Sequence, residues 1–254
     1  MTGVAITELV RLLDADPDLG DGLDDDRRAI ARRHLVAEVI ALTPKQPLCD
    51  AVSPGDRDGL LGLLILDGLV LRHLVIVGES GVELLGAGDL IRPWQVDADF
   101  ASLPAEARWT VCVPSRLAVI SQEVQAGLAR FPAVFRNLVS RLEQRANTLA
   151  LQLALAQVPR LEARLLALLW HLADRFGRVE TTGVVVPVRL SHGTLAQLVY
   201  ARRPSVSTAL GRLAERGLLT RHGDGRITLH GEPPSVAREG SASTAARFTR
   251  QPVL

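Results

Sequence analysis

The segment LSHGTLAQLVYARRPSVSTALGRLAERGLLTRHGDGRITL (residues 190–229) decides the fold of the C-terminal part of the chain. Ser191 is placed to cap a short helix, because a serine hydroxyl accepts from the free backbone N–H groups of a first turn. A turn through Tyr200 and Ala201 leads to a second helix, which Pro204 opens and Gly217 ends. The inward positions of the two helices recur at helical spacing: Leu195, Leu198, Val199, Val206, Ala209, Leu210 and Leu213.

The residues that follow this helix pair predict a two-stranded hairpin. LLTRHGDGRITL has two short apolar stretches around the turn residues Gly223-Asp224-Gly225. Helix, short turn, helix and hairpin together indicate a winged helix-turn-helix, which we assign to residues 157–230. Such a domain binds double-stranded DNA, with the second helix in the major groove; a winged helix used only for protein contacts is the alternative.

The start of the second helix carries the candidate base-reading residue. Arg203 stands there, and an arginine can bridge O6 and N7 of guanine. Other polar residues of this helix and of the hairpin are candidates for contacts with phosphates or neighbouring bases. They are Arg202, Ser205, Ser207, Thr208, Arg212, Arg221 and Arg226.

The charge of the chain is distributed unevenly, although its formal net value is only +1. Residues 1–159 carry 15 basic and 21 acidic side chains, a net charge of −6, and residues 160–254 carry 14 and 7, a net charge of +7. This asymmetry is expected when one part of a protein meets a polyanion.

The first 121 residues predict a helical extension followed by a β domain. Residues 4–14 and 24–40 indicate short helices, so residues 1–40 are assigned to a helical extension. Residues 41–121 contain short apolar stretches cut by glycines, including the turn Gly78-Glu79-Ser80-Gly81, and predict an antiparallel β-roll, barrel or sandwich.

Residues 122–156 predict one long helix with an apolar stripe. Such a stripe after a closed β domain is suited to pairing two subunits, so we expect a homodimer. The candidate interface residues are Phe131, Phe135, Leu138, Leu142, Leu149 and Leu153.

The rest of the chain predicts a helix, a strand and a tail. Residues 161–176 indicate a helix ended by Gly177, and VVVPV (184–188) indicates a strand. Residues 231–254 have the composition of a disordered tail.

The order of these elements resembles that of the Crp/Fnr superfamily of bacterial transcription regulators over residues 45–230. LAQLVYARRPSVSTALGRLAERGLL is similar to the family's helix-turn-helix pattern, and VIVGESGVELLGAGDLI to its glycine-punctuated hairpin. The resemblance implies an α+β protein: an N-terminal cupin-like, cyclic-nucleotide-binding-like β-roll, a dimerisation helix and a C-terminal winged helix-turn-helix. It also implies a palindromic operator and RNA polymerase as a partner.

The sequence departs from the cyclic-nucleotide-binding members of that superfamily. No Glu follows Ile91, and Arg108 is followed by the bulky Trp109, so binding of cyclic AMP in the family's usual mode is not expected. The candidate effector pocket consists of Leu90, Arg92, Trp94, Arg108 and Trp109. A small molecule other than a nucleotide, or haem with His73 as a ligand, is the alternative effector, and the effector stays unknown.

Several classes of protein are not favoured. No catalytic motif is present, so we do not expect an enzyme. Cys49 and Cys112 are far apart in sequence and form no metal-binding cluster, so neither a metal nor a disulfide is expected. No apolar stretch is long enough to cross a membrane, and the N-terminus does not resemble a signal peptide, so a cytoplasmic location is expected.

Overall fold

A computed structural model of the chain describes residues 6–44, 46–95, 104–186 and 190–234. The chain divides into two units, Met1–Gln157 with Ala196–Tyr200, and Val158–Leu195 with Ala201–Leu254. The first unit is built on an antiparallel sheet with helices, and the second contains the start of the first helix of the helix-turn-helix, its second helix and the hairpin. The protein is α+β as predicted.

Six antiparallel strands form the sheet of the first unit. They are β1 (Ile6–Arg11), β2 (Val36–Leu42), β3 (Gly62–Ile76), β4 (Glu79–Gly86), β5 (Leu90–Ile91) and β6 (Ala105–Ile120). Their order is β1-β2-β6-β3-β4, and β5 pairs with β3 beside this path. The prediction of an antiparallel β domain is confirmed.

The longest ladder joins β3 to β6, from Gly62 opposite Ile120 to Ile76 opposite Ala105. Its register shifts at three points between Ile65 and Val70, where irregular pairing bends a ladder. Gly68 lies at this bend with a φ of +99°, and a Cβ there would clash with the side chain and Cα of Ser115. The bend therefore requires glycine.

The turn between β3 and β4 is shorter than predicted. Ile76 pairs with Glu79, so only Val77 and Gly78 form the turn, with φ of +53° and +82°. Two positive φ values are typical of the tight hairpin turn whose twist matches that of the strands. The predicted turn at residues 78–81 therefore begins one residue earlier, and Glu79 to Gly81 belong to β4.

The prediction of a helical extension over residues 1–40 is wrong. Two strands of the sheet, β1 and β2, lie there, and the helices are shorter than predicted: α1 (Leu12–Ala15) and α2 (Asp25–His34). Residues of β2 alternate largely between exposed and buried positions, and both strands gain sheet partners. Pairing within the sheet thus overrides the helical spacing of these short apolar segments.

The predicted single helix over residues 122–156 is two helices, α3 (Gln122–Arg130) and α4 (Pro132–Ala156). Phe131 between them has φ of −124° and ψ of +75°, outside the helical region. Proline disfavours the helical conformation of the preceding residue and has no N–H to donate to an earlier turn. Pro132 therefore ends the first helix and begins the second.

In the second unit, α5 (Leu161–Phe176) ends before Gly177 as predicted. A four-stranded sheet follows the order β7-β8-β10-β9, with strands β7 (Arg178–Glu180), β8 (Gly183–Val186), β9 (Leu219–Arg221) and β10 (Ile227–Leu229). Strand β7 was not predicted. Residues 187 and 188 of the predicted strand, and the predicted disordered tail from residue 235 onward, lie outside the described residues.

Among the described residues of the first unit, two apolar cores stabilise the fold. One includes Leu12, Leu35, Val124 and Val134, where α1, α3 and α4 pack on the sheet. The other includes Ile65, Val70, Leu85 and Leu117 from the central strands. Among the helices in the described ranges, none is long and apolar enough to cross a membrane.

Candidate nucleic-acid interface and effector cavity

The helix-turn-helix consists of α6 (His192–Leu198) and α7 (Arg203–Glu215). The Ser191 hydroxyl accepts from the backbone N–H of Thr194 at 3.0 Å, as a capping residue does. Strands β9 and β10 pair as the predicted hairpin. The predicted inward positions are all buried: Leu195, Leu198, Val199, Val206, Ala209, Leu210 and Leu213. These elements of the prediction are confirmed.

The turn between the two helices contains a strained residue. Tyr200 has a φ of +51°, in the left-handed region, where a side chain costs about 1–2 kcal/mol. The residue is about half exposed, with 47% of its surface accessible. The strain therefore falls on a residue that is only partly buried.

We expect Tyr200→Gly to raise the free energy of unfolding by about 0.5–1 kcal/mol, because glycine adopts positive φ without this cost but gives the unfolded chain more freedom. Tyr200→Ala is the matched control, since alanine keeps the Cβ and loses the same ring. Denaturant unfolding monitored by circular dichroism measures both. A glycine variant no more stable than the alanine variant would contradict the strain.

The first turn of α7 presents its polar side chains to solvent. Arg202, Arg203, Ser205 and Thr208 are exposed. Neither the Arg202 nor the Arg203 guanidinium pairs with a carboxylate in the part of the chain that the structure describes. Two adjacent exposed guanidinium groups at the start of a helix are available to an external anion.

Two other predicted DNA-contacting residues, Arg212 and Arg226, pair with carboxylates of their own chain. Arg212 lies 3.1 Å and Arg216 3.6 Å from the carboxylate of Glu162 at the start of α5. Arg226 lies 2.6 Å from Asp224 in the hairpin turn. All three arginines are exposed, so these pairs are weak and a phosphate can replace the carboxylate.

His192 connects three of the predicted DNA-contacting residues, and sequence reasoning missed it. Its Nε2 is 3.1 Å from Arg221 of β9, and its Nδ1 is 2.7 Å from the Ser207 hydroxyl on α7. Because arginine only donates, Nε2 accepts, so the ring is neutral and Nδ1–H donates to Ser207. Ser207 in turn donates to the carbonyl of Arg203 at 3.1 Å. A continuous chain of hydrogen bonds therefore joins the hairpin to the start of α7.

The pKa of His192 lies below its ordinary value, because burial and then the charges of Arg221 and Arg203 oppose protonation. A histidine whose pKa is lowered by folding stabilises the folded state fully at a pH above its unfolded-state pKa of about 6.5. This stabilisation is lost as the pH falls through the lower pKa of the folded state. We expect stability to fall less steeply below about pH 6.5 in His192→Gln than in the wild type, because glutamine does not titrate. Thermal unfolding across this range measures the difference, and parallel curves would contradict the assignment.

A cavity of about 370 Å³ lies in the first unit between the sheet and α4. It is lined by Leu61, Arg72, Leu90, Arg92, Gln95, Trp109, Leu142 and Arg145. Its volume is within the range of small-molecule sites. Three of its lining side chains are arginines and three are leucines, so the lining is both cationic and apolar.

The sheet register places three of the groups at this site in one row. Arg72 of β3 pairs with Glu83 of β4 on one side and with Trp109 of β6 on the other, so the three side chains share a face. Glu83 is buried and accepts two hydrogen bonds from Arg145 of α4, at 2.6 and 2.8 Å. The carboxylate thus ties α4 to the sheet.

The structure places three of the five predicted pocket residues at the cavity and two elsewhere. Leu90, Arg92 and Trp109 line the cavity, but Trp94 and Arg108 do not. Successive side chains on a strand point to opposite faces, so Arg108 lies on the face opposite Trp109, where it pairs with Glu106 at 2.7 Å. Trp94 packs instead beside Arg57, 6.0 Å from its guanidinium.

His73, considered as a haem ligand, is also outside the lining of the cavity. It pairs in register with Arg108, so it shares the opposite face of the sheet. Among the described residues, no group of three His, Cys, Asp or Glu side chains is placed to hold a metal ion. Cys49 and Cys112 are free thiols, and burial raises the pKa of each.

The predicted dimer residues fall into two groups. Phe131 and Leu138 are 8% and 3% exposed and belong to the core of their own unit, which contradicts their assignment to an interface. The remaining four, Phe135, Leu142, Leu149 and Leu153, are substantially exposed. Val139, which was not predicted, is 46% exposed and continues their line.

These exposed side chains form what we term the α4 stripe: Phe135, Val139, Leu142, Ala146, Leu149 and Leu153. The spacing along it alternates between four and three residues, which is the pattern of a coiled-coil seam. An apolar stripe of this length on a single chain is unusual unless another surface covers it.

Comparison with known proteins identifies the C-terminal domain. Residues 163–232 match the Crp-like helix-turn-helix domain family. This range contains most of α5 and all of α6, α7 and the hairpin, so the domain predicted from residues 190–229 is confirmed. No match was found among curated protein sequences.

Solved structures with the same fold include several transcription regulators. A CooA mutant from Carboxydothermus hydrogenoformans is 17% identical, with a TM-score of 0.60, over 90% of this chain and 95% of that one. FixK2 from Bradyrhizobium japonicum is 14% identical, with a TM-score of 0.58, over 78% of this chain and 94% of that one. A CRP/FNR-family transcriptional regulator from Thermus thermophilus is 22% identical, with a TM-score of 0.54, over 76% of this chain and 94% of that one. The described structure therefore has the CRP/FNR fold that the sequence resemblance implied.

Proposed function

We propose that this chain, which carries a Crp-like helix-turn-helix domain within the CRP/FNR fold, is a sequence-specific DNA-binding transcription regulator. The observation that carries the proposal is the start of α7, where Arg202 and Arg203 are exposed and unpaired with any carboxylate among the described residues. In a helix-turn-helix this part of the second helix reaches base edges in the major groove.

Arg203 reads a base in this proposal, and the residues around it fix the orientation of the helix. Guanine offers O6 and N7 to a guanidinium, which can donate to both at once. Arg202, Ser205, Thr208 and Arg212 contact phosphates or neighbouring bases, and Arg221 and Arg226 do so from the hairpin. Ser207 acts indirectly, because its hydroxyl is already bonded to His192 and to the Arg203 carbonyl.

The working form is a homodimer joined through the α4 stripe. A second copy supplies a complementary surface, since equivalent helices with a three-four apolar spacing pack side by side. Two copies related by a twofold axis would place two α7 helices on a palindromic operator, with half-sites about 34–36 Å apart. RNA polymerase is the proposed protein partner of the DNA-bound dimer, by analogy with the regulators that share the fold.

Effector control is a second element of the proposal, supported by the cavity beside α4. The cavity is lined by residues of the sheet and its loops and by Leu142 and Arg145 of α4, and Leu142 also belongs to the α4 stripe. A ligand there would contact both the sheet and the helix that pairs two copies. Cyclic AMP is not the effector we propose, because the residues that bind it in the family's usual mode are absent here.

Salt-dependent binding to duplex DNA tests the proposal. We expect the purified protein to bind a labelled random duplex at low salt, with an affinity that falls steeply as salt is added, because each neutralised phosphate releases condensed counterions. Fluorescence anisotropy measures this dependence. Failure to bind duplex DNA at low salt would contradict the proposal and favour a winged helix that contacts only protein.

A further inference from the structure

A carboxylate lies among the side chains that face DNA in the proposed function. An open pocket of about 460 Å³ separates the start of α5 from α7. It is lined by Arg160, Leu161, Glu162, Ser205, Thr208, Ala209 and Arg212. Three of these residues, Ser205, Thr208 and Arg212, are proposed DNA contacts, and Glu162 alone among the described lining residues is acidic. A negative charge at this place opposes the approach of the phosphate backbone.

Glu162 is tied to α7 through two guanidinium groups. Its carboxylate lies 3.1 Å from Arg212 and 3.6 Å from Arg216, and these arginines are one helical turn apart. Their side chains are 64% and 62% exposed, whereas that of Glu162 is 29% exposed. The carboxylate is therefore the more enclosed partner. Each guanidinium has five N–H donors, and Arg212 gives one of them to Glu162, so donors remain for an external anion.

Three guanidinium groups and one carboxylate lie at or beside this pocket. Arg160 also lines it, is exposed, and pairs with no carboxylate among the described residues, unlike Arg212 and Arg216. The excess positive charge attracts a phosphate. A phosphate that binds Arg212 or Arg216 takes donors that Glu162 already holds, because guanidinium groups bind carboxylates and phosphates with the same geometry. The two anions therefore compete.

We propose that Glu162 competes with DNA phosphates for Arg212 and Arg216 and so lowers the affinity of the helix-turn-helix for DNA of any sequence. The inference rests on the proposed function, because it concerns the same interface. Arg203 is outside this competition, since it has no carboxylate partner among the described residues. Contacts to bases thus contribute a larger share of the binding free energy than they would without Glu162.

Fluorescence anisotropy with a labelled random duplex, at a series of salt concentrations, tests the inference. Glu162→Gln keeps the shape of the side chain and removes its charge. Two unit charges about 4 Å apart in water change an equilibrium constant by about fivefold, so we expect this variant to bind about fivefold more tightly for each subunit that contacts the duplex. Its affinity should also fall more steeply with salt, by about one unit of logarithmic slope for each phosphate newly neutralised.

Glu180→Gln is the matched control. It makes the same change at an exposed position of β7, at the opposite edge of the sheet from β9. This variant should bind the duplex as the wild type does. An equal gain in affinity from both substitutions would show that total charge alone matters, and would overturn the role of Glu162.

A double-mutant cycle separates competition for a shared arginine from repulsion at a distance. Arg212→Ala removes one of the two contested guanidinium groups. If Glu162 occupies that group, its loss weakens duplex binding less in the wild type than in Glu162→Gln, and we expect the two effects to differ at least about threefold. Additive effects of the two substitutions would overturn the competition.

Other roles of Glu162 give different results. An acidic side chain in the first turn of a helix stabilises that helix, so a structural role predicts that Glu162→Gln unfolds more readily and binds DNA no more tightly. A carboxylate that accepts from cytosine N4 predicts weaker binding to the selected operator and a lost preference at one base pair. Thermal unfolding and operator titration measure these effects, and either result would overturn the inference.

The random duplex also separates this inference from the proposed function. Binding by the wild type with no gain in Glu162→Gln would keep the DNA-binding regulator and remove the competition. Binding by neither protein at low salt would overturn both.

Discussion

Replacement of Arg203 with alanine is expected to weaken binding to the specific operator at least about 30-fold, with little change in non-specific affinity. A bidentate contact from arginine to guanine contributes about 1–3 kcal/mol of discrimination, and a dimer loses two such contacts, one in each half-site. The exposure of Arg203 and its lack of a carboxylate partner among the described residues mean that the substitution breaks no internal pair. Titration of operator and random duplexes by fluorescence anisotropy measures both affinities.

Two further variants control this result. Arg178→Ala removes the same charge from an exposed position on β7, at the opposite edge of the sheet from β9, and should leave operator binding nearly unchanged. Arg203→Lys keeps the charge but loses the forked geometry, so it should bind DNA and discriminate poorly. If alanine at position 203 lowered operator and random affinity equally, Arg203 would be a phosphate contact and not a base reader.

Val139→Glu is expected to give a monomer whose operator affinity is lower by about 100- to 10,000-fold. Val139 lies on the α4 stripe, so in a twofold dimer two glutamates would face each other in an apolar seam. Without the dimer, the second half-site no longer benefits from the effective concentration that the first binding event supplies. Sedimentation velocity measures the mass, and anisotropy the affinity.

Gln144→Glu is the matched control, because it adds the same charge at an exposed position of α4 away from the stripe. It should stay dimeric. A Val139→Glu protein that remains dimeric and binds its operator normally would show that the two copies associate through another surface. The α4 stripe would then be covered by something other than a second copy of α4.

Local patterns predicted the helix-turn-helix well because its signals are short-range. The Ser191 cap, Pro204 at the start of α7 and Gly217 after its end each act within a few residues, and the structure has all three as expected. Pro132 marks the break in the long helix in the same way, but the apolar stripe continues past it, so the spacing alone favours one helix.

Long-range pairing explains most of what the sequence did not predict. Strands β1 and β2 have helix-compatible apolar spacing, and only their hydrogen-bonding partners in the sheet distinguish them as strands. Local sequence patterns did not predict the full lining of the cavity for the same reason, since Arg72 of β3 and Arg145 of α4 come together only in the folded chain. Arg108 and Trp109 are neighbours on β6, so their side chains point to opposite faces of the sheet and cannot both line one pocket.

Selection of random duplex DNA by the purified protein tests the central claim most directly. The account predicts that repeated rounds enrich a twofold-symmetric site with half-sites about one helical turn apart, and that Arg203→Ala loses the preference at one base pair in each half-site. Selections with and without cyclic AMP include the nucleotide effector considered above. Enrichment of no sequence under any of these conditions would contradict the assignment of this protein as a sequence-specific DNA-binding regulator.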